Sequence, residues 1–371
     1  MGNSTGLSVR AGRGPRVGAA VAALLGVPST LGLGVFLTLA LTALIALGGC
    51  SRINSPVRAS DAAPSVEFVD AWGAKGDAPG QLDDPVGIAT DTLGNVYLTD
   101  AGSEYIHKFD PKGTPLLSFQ EDPLKHPQAI AVDWEGAIYV TDPARASVFI
   151  FLPDDEKERH HELRLKERGS AENSLSIAVD DDGVIYVLDA KAGKVFVYSP
   201  RLHLERSWAP AGSSGAGRHW DALELGAGGN LYFADLSTNH LLRFSAEGQL
   251  LAEVAPGADS NANAGANAGI NSSAGASGQS SATTNASGQP SATTKISDEF
   301  AVSKDYIFMM DANGATLHVW SVDGKPKLDV DLGPQLGPGY HAAPPIALSP
   351  RHELFVLDAP KARVLRYRVN L

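Results

Sequence analysis

The chain has 371 residues, 30 of them basic and 42 acidic, for a formal net charge of −12, and it contains one cysteine. Nucleic-acid binding needs clustered Lys and Arg to meet a phosphate backbone, so this acidic balance disfavours a nucleic-acid partner. The length allows one large core or two ordinary ones.

The first segment stands apart from the rest. Arg10, Arg13 and Arg16 give a basic start with no acidic residue before Ser51, and an apolar stretch follows from Val17 to Leu47. It stops at Gly48-Gly49-Cys50, where small residues precede the sole cysteine. A basic region, an apolar region and small residues before a cysteine resemble a bacterial lipoprotein signal. The resemblance implies that residues 1–49 are a signal peptide, that Cys50 is lipidated and that the mature chain is held at a membrane through its lipid. Left uncut, the same apolar run would be a single transmembrane helix. In lipoproteins of this kind, a residue other than Asp after the cysteine implies outer-membrane sorting, and here it is Ser51. The expected location is the outer membrane of a bacterium with two membranes. Without the three leader arginines the charge becomes −15, from 27 basic and 42 acidic residues. Residues 50–65 are short, polar and Pro/Ala/Ser-containing, which suits a flexible tether.

A self-similar unit fills the remainder, residues 66–371. Its marker is a short apolar run ending in Asp. The run reads Asn95-Val-Tyr-Leu-Thr-Asp100, Ala137-Ile-Tyr-Val-Thr-Asp142, Val184-Ile-Tyr-Val-Leu-Asp189 and Asn230-Leu-Tyr-Phe-Ala-Asp235, then Tyr306-Ile-Phe-Met-Met-Asp311 and Glu353-Leu-Phe-Val-Leu-Asp358. The Asp residues are spaced by 42, 47, 46, 76 and 47. An apolar run precedes each copy: Ile88-Ala89, Ile130-Ala-Val132, Ile177-Ala-Val179, Ala222-Leu223, Phe300-Ala-Val302 and Ile346-Ala-Leu348. A third run follows, ending in Phe109, Phe151, Tyr198, Phe244, Trp320 or Tyr367. Then come a turn such as Asp110-Pro-Lys-Gly113 and a fourth run such as Pro115-Leu-Leu-Ser-Phe119.

Short β-rich runs bounded by Gly, Asp and Pro turns read as strands. Four strands in a unit of about 45 residues is the arithmetic of a propeller blade. The sixth copy stops after its third run, and Val66-Glu-Phe-Val-Asp-Ala-Trp72 offers the missing strand. The expected fold is an all-β, six-bladed propeller closed by its N-terminal strand, which leaves no open edge. Asp100, Asp142, Asp189, Asp235, Asp311 and Asp358 recur once per blade. They read as structural carboxylates that accept from backbone N–H groups of the turn that follows.

The first copy carries a family resemblance. Gly73, Gly76, Gly80-Gln-Leu-Asp-Asp-Pro85, Gly87-Ile-Ala, Asp91, Gly94-Asn-Val-Tyr-Leu-Thr-Asp100, Ile106, Phe109-Asp110 and Gly113 resemble an NHL repeat. Copies two to four are recognisable, and copies five and six are degenerate. The resemblance implies a six-bladed propeller and no single function. Such propellers include amidating lyases, lactonases, streptogramin lyases, and RNA-binding and protein-binding modules, so function has to be argued from the site.

Two segments interrupt the repeat. About 257–295 is built of Ala, Gly, Ser, Asn and Thr, with Ala276-Ser-Gly-Gln-Ser-Ser-Ala-Thr-Thr284 returning as Ala286-Ser-Gly-Gln-Pro-Ser-Ala-Thr-Thr294. It holds nothing apolar to offset the entropy of ordering, so a disordered insertion is expected, with a partner-binding arm as the alternative. Asp154 to Arg168 is highly charged and reads as a solvated turn and outer strand. His160, His161 and Glu162 within it are adjacent and would point apart on a strand.

Ligand sites in propellers lie where the first strands begin at the channel. The positions just before those strands are Val86, Gln128, Leu175, Asp221, Asp298 and Pro344. In the amidating lyases, a Pro-His at this place in three blades ligates zinc; blade two here has Pro127-Gln128, and no blade has His at this position. Lactonases of similar architecture surround a calcium ion with Glu, Asn and Asp, and here Asp221 and Asp298 have that chemistry. His126, His219 and His341 stand two or three residues upstream in alternate blades, and three imidazoles on one axis would make a zinc set. No Gly-x-Ser-x-Gly and no nucleophilic cysteine is present. Trp134 and Trp220 are the tryptophans expected to be exposed, whereas Trp320 reads as packing. No cofactor is expected outright, with zinc or calcium as the possibility. The sequence reading is a lipid-anchored binding or scaffolding module with a protein partner in the cell envelope. The alternative is a metal-dependent lyase or lactone hydrolase working in the channel.

Overall fold

The computed structural model describes residues 64–120, 124–152, 160–165, 175–210, 220–254, 295–312, 314–337, 340 and 342–371. The leader, most of the tether and nearly all of the insertion lie outside them. Among the described residues, strands assemble into six four-stranded antiparallel sheets. The chain is an all-β, six-bladed propeller. Blade one runs through Pro85–Thr90, Val96–Asp100, Ile106–Phe109 and Pro115–Phe119, and the later blades repeat the order. The first strands touch their neighbours in a closed cycle, blade six meeting blade one.

Burial follows position within the blade. The second strands Val96–Asp100, Ile138–Asp142 and Ile185–Asp189 are buried at every residue, whereas the outer strand Pro115–Phe119 is largely exposed. A strand covered on both faces reads as a continuous apolar run, which is how these runs appear in the sequence. The core is divided into six clusters, one at each seam between neighbouring blades. Trp220 contributes to one of them. It is fully buried, edge-on to Phe233 at 6.0 Å, which corrects the expectation of exposure. A large ring at the blade three–four seam gains more by filling that wedge than by facing water. Trp134 is exposed, at 58%.

Each hairpin between first and second strands is fixed by a side chain. Asp91 Oδ1 accepts from the N–H of Leu93 at 2.9 Å and of Asn95 at 2.8 Å, while its Oδ2 accepts from the Tyr97 hydroxyl at 3.0 Å. Asp133 with Tyr139 and Asp180 with Tyr186 repeat this. In blades five and six, Ser303 and Ser349 take the Asp place, and the partner ring becomes Phe308 or Phe355. A hydroxyl without its carboxylate would be a buried donor left unpaired; blades five and six lose the Tyr along with the Asp, whereas blade four keeps Tyr232 with Gly226 in the Asp place.

In blades one to four the Asp that ends the second strand ties the adjoining loops down, whereas in blades five and six it faces basic side chains. Asp100 accepts from the N–H of Asp83 at 2.7 Å and Asp84 at 2.9 Å upstream, and of Gly102 at 3.0 Å downstream. Asp142 holds the N–H groups of Lys125 and Arg145, and Asp235 those of Ser237 and Thr238. Asp189 accepts from Ala192 at 2.9 Å. In blades five and six, Asp311 lies 3.8 Å from His318 Nε2, and Asp358 accepts from Arg363 Nε at 2.8 Å.

Ser65–Trp72 pairs antiparallel with Arg363–Asn370 and becomes the outer strand of blade six. Arg366 clamps it: Nε donates to Asp70 Oδ1 at 2.9 Å, Nη2 to Oδ2 at 2.5 Å, and Nη1 to Glu353 at 3.2 Å. At the far end of that strand, Trp72 lies on Phe109 of blade one and fills the space over Gly113. Gly113 has φ +83°, and a Cβ there would meet the Trp72 ring at 2.2 Å. Gly113→Ala therefore combines an unfavourable backbone with a clash against the closing strand. We expect a loss of about 2–4 kcal/mol in urea unfolding, with Gly136→Ala, at φ +90° but with nothing within 4 Å of the added Cβ, losing clearly less.

Candidate functional site in the channel mouth

The six first strands line a central channel whose wider end is a cavity of about 550 Å³. Its wall includes residues that precede a first strand (His126, Gln128), Asp298 within the first strand of blade five, and residues that follow second strands (Ala101, Ala144). These loops share one face of the ring, so the mouth opens on that face. A smaller cavity of about 240 Å³ continues below, lined by the first strands themselves.

The ladder registers align the six walls. Ala89, Ala131, Ala178, Ala301 and Ala347 each pair with the aromatic residue of their second strand, and blade four has Glu224 opposite Tyr232 in that place. Two residues earlier the walls carry Gly87, Ala129, Ser176, Ala222 and Pro345, but blade five carries Glu299. Two carboxyls thus replace small side chains in adjacent blades. Glu224 lines both cavities, at the waist between them, and Glu299 lines the mouth.

Local irregularity presents them. The ladder of blade five shifts between Ile296 and Phe300, so Ser297, Asp298 and Glu299 bulge out of register. Bulges re-aim side chains in this way. Ser297 holds the bulge, its Oγ donating to the Met310 carbonyl at 2.8 Å and accepting from the Glu299 N–H at 3.1 Å. Blade four shifts likewise between Trp220 and Leu223, and its strand is stitched to blade three by Ser176 Oγ, which accepts from the Leu223 N–H at 3.1 Å.

Burial among apolar walls pushes the Glu224 carboxyl up to about 8. Glu299 is also pushed up to about 8, chiefly by burial and further by the negative charges of Asp298 and Glu224. No hydrogen bond among the described residues steadies either anion. A pair held near neutrality donates a proton in its acid form and accepts a cation in its ionised form.

The positions singled out from sequence meet this site unevenly. His126 and Asp298 line the mouth, and the His126 N–H donates to Asp142 at 3.3 Å. Asp221 lies in the first strand of blade four, where its side chain is outside the described set, and His219 and His341 lie outside the described residues altogether. Gln128 is occupied by structure: its carbonyl accepts from Thr99 Oγ at 2.6 Å, and its Oε1 lies 3.5 Å from the Leu175 N–H. Among the described residues, no three His, Cys, Asp or Glu side chains converge as a metal site. Cys50 lies outside the described residues as well.

Glu224 escapes the sequence reading for a definable reason: that reading starts the apolar run of blade four at Ala222, whereas the ladder aligns Leu223 with Ile88, Ile130 and Ile177. In that register, a glutamate stands in a column of alanines, and the repeat itself carries the signal.

A carboxyl whose folded value lies above its unfolded one favours the fold while protonated. That stability is complete below the ordinary Glu range near pH 4.5 and is lost as pH rises through about 8. Glu224→Gln removes the loss. The variant and the wild type should match in thermal unfolding at pH 4, and the variant should be the more stable at pH 9. Each pH unit of the interval is worth about 1.4 kcal/mol per group, so several kcal/mol is the ceiling, reduced by water at the mouth. Equal pH profiles for both proteins would contradict the burial of this carboxyl.

No protein-family model matches the chain, and no curated protein matches it by sequence. Solved structures do. The chain is similar to a streptogramin B lyase at 12% identity, with 83% of this chain and 98% of that chain covered and a TM-score of 0.52. It is similar to selenomethionine-substituted virginiamycin B lyase from Staphylococcus aureus at 13% identity, with 83% and 90% covered and a TM-score of 0.50. At these identities, the shared property is the fold, a six-bladed propeller.

Proposed function

We propose that the chain is a lipid-anchored, extracytoplasmic propeller of NHL type that serves as a protein-binding module in the cell envelope. Its partner seats a basic side chain in the channel mouth. The observation that carries the reading is Glu224, the one carboxyl in a column of five alanines, with Glu299 beside it in the next blade. An alkylammonium group entering the cavity would meet two carboxyls that ionise as it binds, and the apolar wall would take its methylene stem. The tether supports the same geometry. The chain joins the ring at Ser65, at the end of the closing strand remote from Trp72, and so on the face opposite the mouth.

Two measurements test this. Metabolic labelling with an alkyne fatty acid should tag the full chain and leave Cys50→Ala untagged, and Ser51→Asp should move the tagged protein from the outer- to the inner-membrane fraction. An untagged wild type would remove the anchor. Calorimetric titration with butylammonium or a lysine-containing peptide should give an affinity that rises by up to about tenfold per pH unit between pH 6 and 8 and then levels off. Glu224→Gln should abolish most of that rise. A pH-independent affinity would rule out the carboxyls as the receptor.

A second reading, a metal-dependent lyase or lactone hydrolase, draws on the same two carboxyls, whose values near 8 suit general acid–base work. It requires about one zinc or calcium ion per chain, lost when His126, His219 and His341 are replaced together.

A further inference from the structure

The face opposite the mouth carries a second cleft, of about 570 Å³, between blades six and one. It is built from the turn that joins the third and fourth strands of blade one and the turn that joins the first and second strands of blade six. In an antiparallel blade, both of these turns lie at the end away from the mouth. Lys112, Arg351 and Arg368 line it, all exposed.

The other charges of the cleft are already committed. Arg366 is taken up by Asp70 and Glu353. The Asp110 carboxylate accepts from the turn N–H groups of Lys112 and Thr114, both at 2.8 Å, which lowers its pKa. No ion pair to a described residue neutralises Arg351 or Arg368, and Lys112 is offset in part by the Asp110 carboxylate beside it. Two open cations and a third partly offset one on a single cleft run against the negative balance of the chain.

The cleft also adjoins the place where the chain joins the ring. Asn370, in its wall, pairs with Ser65, and its Nδ2 donates to Ser65 Oγ at 3.2 Å. Fourteen residues separate Cys50 from Ser65, at most about 50 Å of chain. We infer that this cleft receives the phosphate of an anionic lipid headgroup and seats the tether face of the propeller on the bilayer. The inference rests on the reading that Cys50 is lipidated at a membrane. Each basic side chain near an anionic surface strengthens binding about fivefold, and a tether of this reach keeps the headgroups at high effective concentration.

The test uses residues 62–371, which contain every strand of the closed ring and no lipid. Co-sedimentation with vesicles of one-third phosphatidylglycerol in phosphatidylcholine should exceed that with phosphatidylcholine alone and should fall at 0.5 M salt. Lys112→Glu/Arg351→Glu/Arg368→Glu, all at exposed positions, should bind at least tenfold more weakly, with thermal unfolding unchanged. Lys125→Glu/Arg145→Glu, next to the mouth residues His126 and Ala144, should bind as the wild type does. Equal binding to both vesicle types, or equal loss in the two variants, overturns the inference. So does saturation of the cleft by inorganic phosphate at matched ionic strength without vesicle binding, because the occupant is then a soluble anion. Labelling of Cys50 in the full chain is read separately. A labelled chain whose propeller ignores anionic vesicles defeats this inference alone, and an unlabelled chain whose propeller binds them defeats the anchor alone.

Discussion

A four-stranded sheet of this composition has two apolar faces and nothing of its own to cover either. Every blade is therefore stable only as a neighbour, and among the described residues the large side chains leave water together in the six seam clusters. The rest of the architecture answers to that dependence. First strands must meet in a ring for the seams to close, and the loops must be held by Asp carboxylates so that adjacent blades approach closely. Gly87 shows how close: a Cβ there would come within 2.4 Å of the Gln128 carbonyl in the next blade. The channel is what six such walls leave over.

Because the seams fix the walls, the channel is where the repeat is free to vary. Most columns of the wall are small and apolar, as packing requires. A glutamate in such a column contributes nothing to a seam and is unfavourable to ionise where it stands. Functional sites are where local rules of this kind are broken. Glu224 and Glu299 break the rule in adjacent blades and at different depths, Glu299 within an irregular stretch of ladder and Glu224 in register just beyond one.

Much of the fold was legible because its signals are redundant. Six terminal Asp residues, six aromatic ends to third strands and the stranded seventh run at Val66 to Trp72 all pointed to the same ring. The site was harder to read, because it consists of two exceptions to a pattern, and an exception is visible only in the correct register. One residue of slip in blade four hid Glu224 among ordinary polar positions. The burial of Trp220 is hidden from the sequence for a related reason: position along a strand can be read from sequence, but which side of a seam a ring occupies depends on the neighbouring blade. The exchange of Asp and Tyr for Ser and Phe in blades five and six would have helped to set the register, since it marks the same hairpin in a different vocabulary.

The bond between Asp70 and Arg366 spans 296 positions of the chain. A strand that waits for a partner so distant is made early and completed late. During synthesis, Ser65–Trp72 has no edge to join until Arg363–Asn370 has emerged. Blade one is likewise left with a bare seam. Over that period the nascent protein exposes both an unpaired strand and an apolar wedge, the two features most readily captured by a second copy. A chaperone that shields the early segment would thus matter more to this ring than one acting on its middle blades.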